Sequence, residues 1–217
     1  DLINNKQKPL ITNLITKKTA TLFNCIFLLL GIVCSFFLNN HTQAIVMFLL
    51  LPLLYLYNYY LKRFFLFGNL VVAFLIGMIF IITELEISSS YIVLFPIACA
   101  AFYLNFIREI IKDIEDMPGD LKEKMTTLPI LWGHNLSIIL LRILILFFIF
   151  FSLIYCYTQL IHLTVLIILF ILLVEFPLLY SLFLLRRLPN KKTIYNLSKL
   201  YKIIVFNGLL IIPMMKG

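Results

Sequence analysis

Long apolar runs constrain the fold of this chain more than any other feature of its sequence. The runs do not alternate apolar and polar residues, which excludes the strands of a transmembrane barrel. Each approaches the about 20 apolar residues that an α-helix needs to cross a bilayer, and hydrophobic residues make up 63% of the chain against about 45–50% in soluble domains. The sequence therefore predicts an all-α fold, a multi-span transmembrane helical bundle. Its seven predicted spans cover residues 22–38, 44–60, 67–83, 91–108, 136–157, 161–184 and 199–215.

Basic residues occur only in every second connection between the runs. The connections at 39–43, 84–90 and 158–160 contain no Lys or Arg, although the chain has a net charge of +8. By the positive-inside rule the basic connections are cytoplasmic, which predicts a multi-pass protein of the cell (inner) membrane. Nucleic acid is excluded as a partner because the cations are divided among four short loops, whereas membrane lipid is an expected partner.

Acidic residues concentrate behind the fourth run. Five of the chain's ten acidic residues lie between Arg108 and Asp120. In a helix, Glu109, Asp113, Asp116 and Asp120 would share one face, because they are spaced by four, three and four residues. Their mutual repulsion would be relieved by Mg²⁺, which usually binds one or two carboxylates together with substrate phosphates.

The same residues allow a purely structural interpretation. In that alternative the segment is a solvated helix end, in which Glu109 pairs with Arg108 or Lys112, and Asp120 pairs with Lys124. Charge spacing alone does not separate the two alternatives. In either case Pro118 and Gly119 predict that the helix breaks near Asp116, so that Asp120 curls back toward Asp116.

Three segments resemble motifs of the UbiA superfamily of intramembrane prenyltransferases. The run Arg-Glu-Ile-Ile-Lys-Asp-Ile-Glu-Asp-x-x-Gly-Asp, followed by Thr-Leu-Pro-Ile at 127–130 and Gly133, is similar to the family's second aspartate-rich motif. Asp-Leu-Ile-Asn-Asn-Lys-Gln-Lys-Pro at 1–9 resembles the tail of its first motif, NDxxDxxxD. Tyr-Asn-Tyr-Tyr-Leu-Lys at 57–62 is similar to the Tyr-x-x-x-(Leu)-Lys segment of a cytoplasmic loop. These segments occur in the family's order, and all lie on the side assigned to the cytoplasm from charge.

The resemblance implies an architecture for the whole chain. Family members have nine helices, with the first motif after the second helix. Seven runs behind the tail of that motif therefore imply seven helices of a nine-helix fold. Residues 1–217 would form a single UbiA-type domain that lacks the first two helices, and the chain would be N-terminally truncated.

The resemblance also implies roles for individual residues. Asp1, Asp116 and Asp120 would bind Mg²⁺. Lys62, Arg108 and Lys112 would bind the diphosphate of a polyprenyl diphosphate donor. Catalytic roles would fall to Asp113 and Glu109, which would act as base toward the acceptor or orient the cations. Tyr57, with Tyr103 and Phe106, would lie near the prenyl cation, although such aromatic residues are more often core or lipid-facing. Asn105 would reach the same pocket or form a hydrogen bond between helices.

The chain departs from the family pattern at four positions. Lys124 stands where Gly is usual and Thr126 where Arg or Lys is usual, which removes one expected phosphate contact. Lys8 replaces an Arg before Pro9, and Lys6 stands where Pro is common.

The activity implied by the resemblance is Mg²⁺-dependent prenyl transfer with release of diphosphate. The second motif looks closest to that of members that prenylate a lipid precursor, geranylgeranylglyceryl phosphate. Quinone-forming members, which prenylate aromatic acceptors, share parts of it. Two alternatives come from other classes. A transporter would show inverted repeats, and the sequence has none. A non-catalytic scaffold would tolerate Asn at positions 116 and 120.

One further carboxylate lies in the middle of an apolar run. Glu175 occurs in the sequence Leu-Leu-Val-Glu-Phe-Pro, and an intramembrane carboxylate is a functional candidate. Equally, it would satisfy backbone groups that are freed by a kink at Pro177.

Overall fold

The computed structural model of the chain describes residue 12 and residues 14–88, 93–159 and 164–211. Within these ranges every regular element is helical, which confirms the predicted all-α fold. The first four helices are α1 (Lys17–Ser35), α2 (Asn40–Tyr59), α3 (Phe67–Ser88) and α4 (Phe95–Lys122). The last three are α5 (Leu128–Gln159), which is kinked at the non-helical Gly133 (φ 79°), α6 (Thr164–Phe170 continued by Ile171–Glu175 and Phe176–Leu184) and α7 (Lys191–Ile211).

Apolar side chains cover the outside of these helices. Phe37 and Phe48 are each 84% exposed, and Phe27 is 68% exposed. Among the described residues, five helices are long and apolar enough to cross a membrane, whereas α4 and α7 are not among them. Water would not tolerate so many exposed rings, so the solvent of this surface is the bilayer. The chain is an integral membrane protein.

Two of the helices contain a widened, π-helical turn, and each turn is followed by a proline. In α2 the turn is Val46–Leu50, ahead of Pro52, and in α6 it is Ile171–Glu175, ahead of Pro177. A proline removes the donor to the carbonyl four residues earlier, and a wider turn accommodates that loss without ending the helix. Both helices are therefore continuous, as the apolar runs predict.

Helix α4 does not break where the sequence predicts. It continues through Pro118 and Gly119 to Lys122, so the predicted break near Asp116 is wrong. Pro118 costs the helix a single bond, to the carbonyl of Ile114, and only four residues follow before the helix ends. Asp120 consequently lies a full turn beyond Asp116 and does not curl back toward it.

The chain divides into two compact units. Unit 1 comprises residues up to Phe102 together with Asp116–Thr127, and unit 2 comprises Tyr103–Glu115 and the residues from Leu128 onward. In unit 1, Gly77 allows α3 to approach the start of α4 closely, because a Cβ there would lie 3.0 Å from the carbonyl oxygen of Ala98. The predicted single domain over 1–217 stays a prediction.

The core of unit 2 is a set of fully buried aliphatic side chains around one tyrosine. Tyr201 of α7 is 0% exposed, and its hydroxyl lies 3.4 Å from that of Ser181 in α6. Arg142 of α5 donates from Nε to the carbonyl oxygen of Leu185 over 2.8 Å, which supplies a donor to the end of α6. The aliphatic members with 0% exposure are Ile107, Ile110, Ile111, Leu128, Leu141, Ile145, Leu178, Leu185, Leu197 and Ile204.

Candidate functional site

Helix α4 carries most of the predicted site residues on one side. At 3.6 residues per turn, its seven polar candidates fall within an arc of about 140°. The neighbouring stripe is buried, with Ile107, Ile110 and Ile111 at 0% exposure, so packing fixes the rotation of the helix. We call this side the charged face, and it consists of Asn105, Arg108, Glu109, Lys112, Asp113, Asp116 and Asp120.

In unit 2 the charged face forms a three-residue ion-pair cluster. Arg108 Nη1 lies 2.8 Å from Glu109 Oε1, and Lys112 Nζ lies 3.0 Å from Glu109 Oε2. The side chain of Glu109 is 8% exposed, whereas those of Arg108 and Lys112 are 23% and 43% exposed. Both oxygens of one buried carboxylate therefore hold two cations whose ends remain accessible. The pairing expected of a salt-bridged helix end is observed for Glu109, and it also orients the two predicted diphosphate ligands.

In unit 1 the charged face ends in two carboxylates at the C-terminus of α4. Asp116 and Asp120 are both half-buried, and Asp120 lies in the last turn. The C-terminus of a helix carries about half an elementary negative charge. Two carboxylates at that end add to an already negative potential, so the position favours a bound cation.

A Schellman motif closes α4 immediately after Asp120. The backbone N–H of Met125 donates to the carbonyl of Asp120 over 3.0 Å, and that of Lys124 donates to Leu121 over 3.3 Å. The motif needs a left-handed residue after the helix, and Lys124 fills that position with a φ of 54°. This geometry explains why Gly is usual there in the family that the sequence resembles, since a side chain in the left-handed region costs about 1–2 kcal/mol.

The buried carboxylate of Glu84 accepts hydrogen bonds at the N-terminal end of α4. The carboxylate of Glu84, in α3, accepts 2.7 Å hydrogen bonds from the backbone N–H groups of Val93 and Leu94. These two residues directly precede α4, and Glu84 is only 4% exposed. In the sequence, Glu84 stands at the edge of a connection between two apolar runs, and no motif marks it. Its capping partners follow it by nine and ten residues, and no local sequence signal identifies such a cap.

The predicted ligand Lys62 lies in a short turn of unit 1. A 3-10 turn at Leu61–Arg63 follows α2, and the side chain of Lys62 is exposed. Gly68, in the first turn of α3, packs against this turn, because a Cβ there would lie 3.1 Å from the carbonyl oxygen of Leu61 and 3.3 Å from Cα of Lys62. Tyr57, in α2, is half-buried. The close packing at Gly68 fixes the backbone from which Lys62 projects.

The structure divides the predicted site residues between the two units. Tyr57, Lys62, Asp116 and Asp120 belong to unit 1. Asn105 is buried at 4% exposure and belongs to unit 2. Asp1 lies outside the described residues. The remaining candidates, which belong to unit 2 with Asn105, are Arg108, Glu109, Lys112 and Asp113.

Carboxylate oxygens at Asp116 and Asp120 fit a hard divalent cation. Mg²⁺ prefers oxygen ligands and commonly takes only one or two carboxylates from the protein. Within the described ranges no group of three or more His, Cys, Asp or Glu residues is arranged to hold a metal. The described part of the chain thus offers two protein ligands at this position.

Tyr103 is half-buried and packs against two aromatic rings of α5. Its ring stacks on those of Phe147 and Phe148 in unit 2, at centroid distances of 5.9 and 5.8 Å. Such stacking is typical of aromatic packing in a protein interior, in agreement with the structural alternative for this residue.

The chain is similar to a protein family model, to curated proteins and to a solved structure. A family model, described as UbiA prenyltransferase family, matches residues 1–203. The digeranylgeranylglyceryl phosphate synthase of Methanococcus aeolicus is 41% identical over 135 residues, which are 62% of this chain and 47% of that protein. The synthase of the same name from Methanosphaera stadtmanae is 37% identical over 144 residues, 66% of this chain and 52% of that protein.

A solved structure of digeranylgeranylglyceryl phosphate synthase in membranes is also similar. It has a TM-score of 0.67 and 28% sequence identity, over 97% of this chain and 75% of that chain. This chain spans about half the length of the curated relatives that it matches.

Proposed function

The chain belongs to the UbiA prenyltransferase family, and from this premise we propose that it transfers a prenyl group from a geranylgeranyl-type polyprenyl diphosphate to a lipid precursor. The proposed acceptor is geranylgeranylglyceryl phosphate, and diphosphate is released. The observation that carries the proposal is the pair of carboxylates, Asp116 and Asp120, in successive turns at the end of α4. The names of the two relatives support the choice of acceptor.

Asp116 and Asp120 are the proposed Mg²⁺ ligands, with Asp1 as the third. When bound, the cation would stabilise the negative charge that develops on the departing diphosphate. The two described carboxylates suit this role, because the helix end that carries them is itself negative.

Lys62, Arg108 and Lys112 are the proposed diphosphate ligands of the protein. Lys62 is exposed on its short turn. Arg108 and Lys112 are each held by one oxygen of Glu109, at 2.8 and 3.0 Å. Cations fixed in advance stabilise a leaving group better than mobile ones, because no reorganisation is needed during the reaction. This arrangement assigns Glu109 an orienting role.

The transfer exchanges one C–O bond for another. The bond between the allylic carbon and the diphosphate breaks, and its electron pair leaves with the diphosphate. The acceptor hydroxyl oxygen then bonds to the allylic carbon and loses its proton. Asp113 is the proposed base toward the acceptor, and Glu109, whose two oxygens accept from Arg108 and Lys112, is the proposed orienting residue. Asp113 is half-buried one turn beyond Glu109, and the apolar surroundings of the bundle would shelter an allylic cation from water.

Further cations favour an acceptor that carries a phosphate group. Lys122, Lys124, Arg186 and Arg187 are all exposed, and a phosphate would gain from such groups, whereas a neutral aromatic acceptor would not. We also propose that these basic connections lie on the cytoplasmic side of the cell membrane, since the connections before α2 and between α5 and α6 contain no Lys or Arg.

Turnover in proteoliposomes tests the proposal. Labelled geranylgeranyl diphosphate is supplied with geranylgeranylglyceryl phosphate or with an aromatic acid, in Mg²⁺ or in excess chelator. We expect diphosphate release and a prenylated lipid product with the phosphate-bearing acceptor, loss of both in chelator, and recovery when Mg²⁺ is restored.

Two results would overturn the proposal. One is preference for the aromatic acceptor, which would move the chain to the other acceptor class of the family. The other is absence of diphosphate release with every acceptor, while Asp116→Asn protein binds the prenyl diphosphate as tightly as wild type.

A further inference from the structure

Glu175 is a buried acid near the middle of a transmembrane span. It is the last residue of the π-helical turn in α6 and is 2% exposed. The candidate span Val165–Leu184 has 20 residues, and Glu175 lies about 14 Å along the axis from its Leu184 end. That depth corresponds to the centre of a hydrocarbon core about 30 Å thick. A carboxyl group at such a position is expensive and calls for a specific partner.

The backbone carbonyl that Pro177 leaves without a helical donor does not use this carboxyl group. Pro177 has no N–H, so the carbonyl of Leu173, four residues earlier, loses its helical donor. The structure supplies another donor to this carbonyl, since Asn207 Nδ2 of α7 donates to Leu173 O over 3.2 Å. The backbone group that the proline frees is therefore satisfied by Asn207, and Glu175 remains available for another role.

Among the described residues, only one oxygen of Glu175 has a hydrogen-bond partner. Oε1 is bonded to the hydroxyl of Ser152 in α5, and this hydroxyl also lies 3.0 Å from the carbonyl oxygen of Ile149. Oε2 is buried and has no partner among the described residues. A buried polar atom without a partner costs about 1–3 kcal/mol, so its presence needs an explanation.

The surroundings determine what kind of group can complete the site. No Lys, Arg or His of the described chain forms an ion pair with Glu175. Burial without a counter-ion favours a neutral acid, which carries one donor and one free acceptor. A phosphate or other anion is excluded by the same desolvation cost. A hydroxyl group suits the site, because it both donates and accepts.

We propose that Glu175 and Ser152 form a binding site for the hydroxyl group of a lipid-soluble alcohol within unit 2. The alcohol's O–H completes the hydrogen bonding of Glu175 Oε2, and its hydrocarbon part lies among apolar side chains at the same depth. This site is separate from the proposed prenyl transfer, which uses anionic ligands and the charged face of α4, so either can fail without the other.

Photolabelling of the full protein in detergent micelles tests the site. The probe is a long-chain alcohol with a diazirine beside the hydroxyl, and adducts are mapped by mass spectrometry. We expect adducts in α5 around Ser152 and in α6 around Glu175. Unlabelled hexadecanol should compete about tenfold better than its methyl ether, because the ether cannot donate to Oε2 and loses one hydrogen bond.

Three substitutions assign the labelling to the proposed groups. Glu175→Leu and Ser152→Ala should each remove the preference for alcohol over ether, whereas Glu175→Gln, which keeps a carbonyl oxygen, should retain part of it. The matched control is Ser181→Ala, a buried serine of α6 whose hydroxyl bonds to Leu178 O over 2.6 Å, and it should leave the labelling unchanged.

Several outcomes would overturn the proposal. Equal competition by hexadecanol and its ether would show that the hydroxyl contributes nothing, as expected if only ordered water occupies the site. Unchanged preference in Glu175→Leu protein would show that the carboxyl group is not involved. If that variant does not fold by circular dichroism, the Ser152→Ala and Glu175→Gln proteins decide the question.

Discussion

Glu109 and Glu175 are both buried glutamates of unit 2, and the protein treats them in opposite ways. Glu109 is 6% exposed and has a cation on each oxygen, at 2.8 and 3.0 Å. Glu175 is 2% exposed and has a single hydroxyl partner. Burial alone therefore does not determine whether a carboxyl group is paired with cations. At Glu109 each carboxylate oxygen pairs with one cation, whereas no Lys, Arg or His of the described residues pairs with Glu175.

The largest expected effect concerns the charge at the end of α4. On the proposed function, Asp116→Asn and Asp120→Asn should each lower prenyl transfer at least about a hundredfold, because each removes a metal-binding carboxylate. The measurement is the rate of labelled product formation at saturating donor.

The matched control for these two variants is Glu123→Gln. Glu123 is exposed and follows the last residue of α4, so its loss should change the rate by less than about twofold. Equal losses in all three variants would contradict a specific role of the two aspartates.

The comparison between the two glutamates itself is tested by removing each carboxyl group. Glu109→Leu should destabilise the protein by about 2–3 kcal/mol, because it removes the ion pairs that Arg108 and Lys112 form with a buried carboxylate. Glu175→Leu should be neutral or stabilising by about 1 kcal/mol, because it replaces an incompletely bonded polar group by an apolar one. Unfolding midpoints in detergent micelles measure both. Changes of the same sign and size would contradict the distinction.

Glu84 is a third buried glutamate, and its carboxylate accepts hydrogen bonds from backbone N–H groups. Glu84→Gln should lower stability by about 1–2 kcal/mol, since an amide offers one acceptor oxygen to the N–H groups of Val93 and Leu94 and opposes the other with its own donors. Hydrogen exchange at the start of α4 should quicken in this variant. Unchanged exchange there would show that the cap does not secure the helix.

The smallest expected effect concerns the residue that follows the acidic end of α4. Lys124→Gly should stabilise the protein by about 0.5–1 kcal/mol, because Gly adopts the left-handed conformation without strain. The control is Lys122→Gly, at the last residue of α4, which should destabilise by about 0.5 kcal/mol because Gly loses more backbone entropy on folding. Thermal unfolding compares the two, and destabilisation by both would contradict the strain assigned to Lys124.

Apolar runs were enough to predict the helices, because a bilayer requires continuous apolar segments whatever the tertiary contacts are. Their ends were harder to predict. Pro118 and Gly119 predict a break near Asp116, yet α4 continues to Lys122. A proline near the end of a helix removes a single bond and leaves the rest intact.

The site could be predicted as far as its contacts are local. The partners of Glu109 are one and three residues away, within the reach of a helical spacing argument. Ser152 and Glu175 are 23 residues apart, and Asn207 and Leu173 are 34 apart. Such pairs depend on how helices pack, which a single sequence does not encode in its spacing. Pro177 identifies Leu173 O as the carbonyl that needs another donor. Nothing in the sequence identifies Asn207 as the residue that provides it.

Binding of a non-reactive prenyl diphosphate analogue, measured against Mg²⁺ concentration, tests the central claim most directly, that the carboxylates of α4 hold a cation for the diphosphate. In wild-type protein we expect Mg²⁺ to lower the Kd at least about tenfold, and in Asp116→Asn and Asp120→Asn proteins we expect no such change. The same Mg²⁺ dependence in wild type and in both variants would contradict the account.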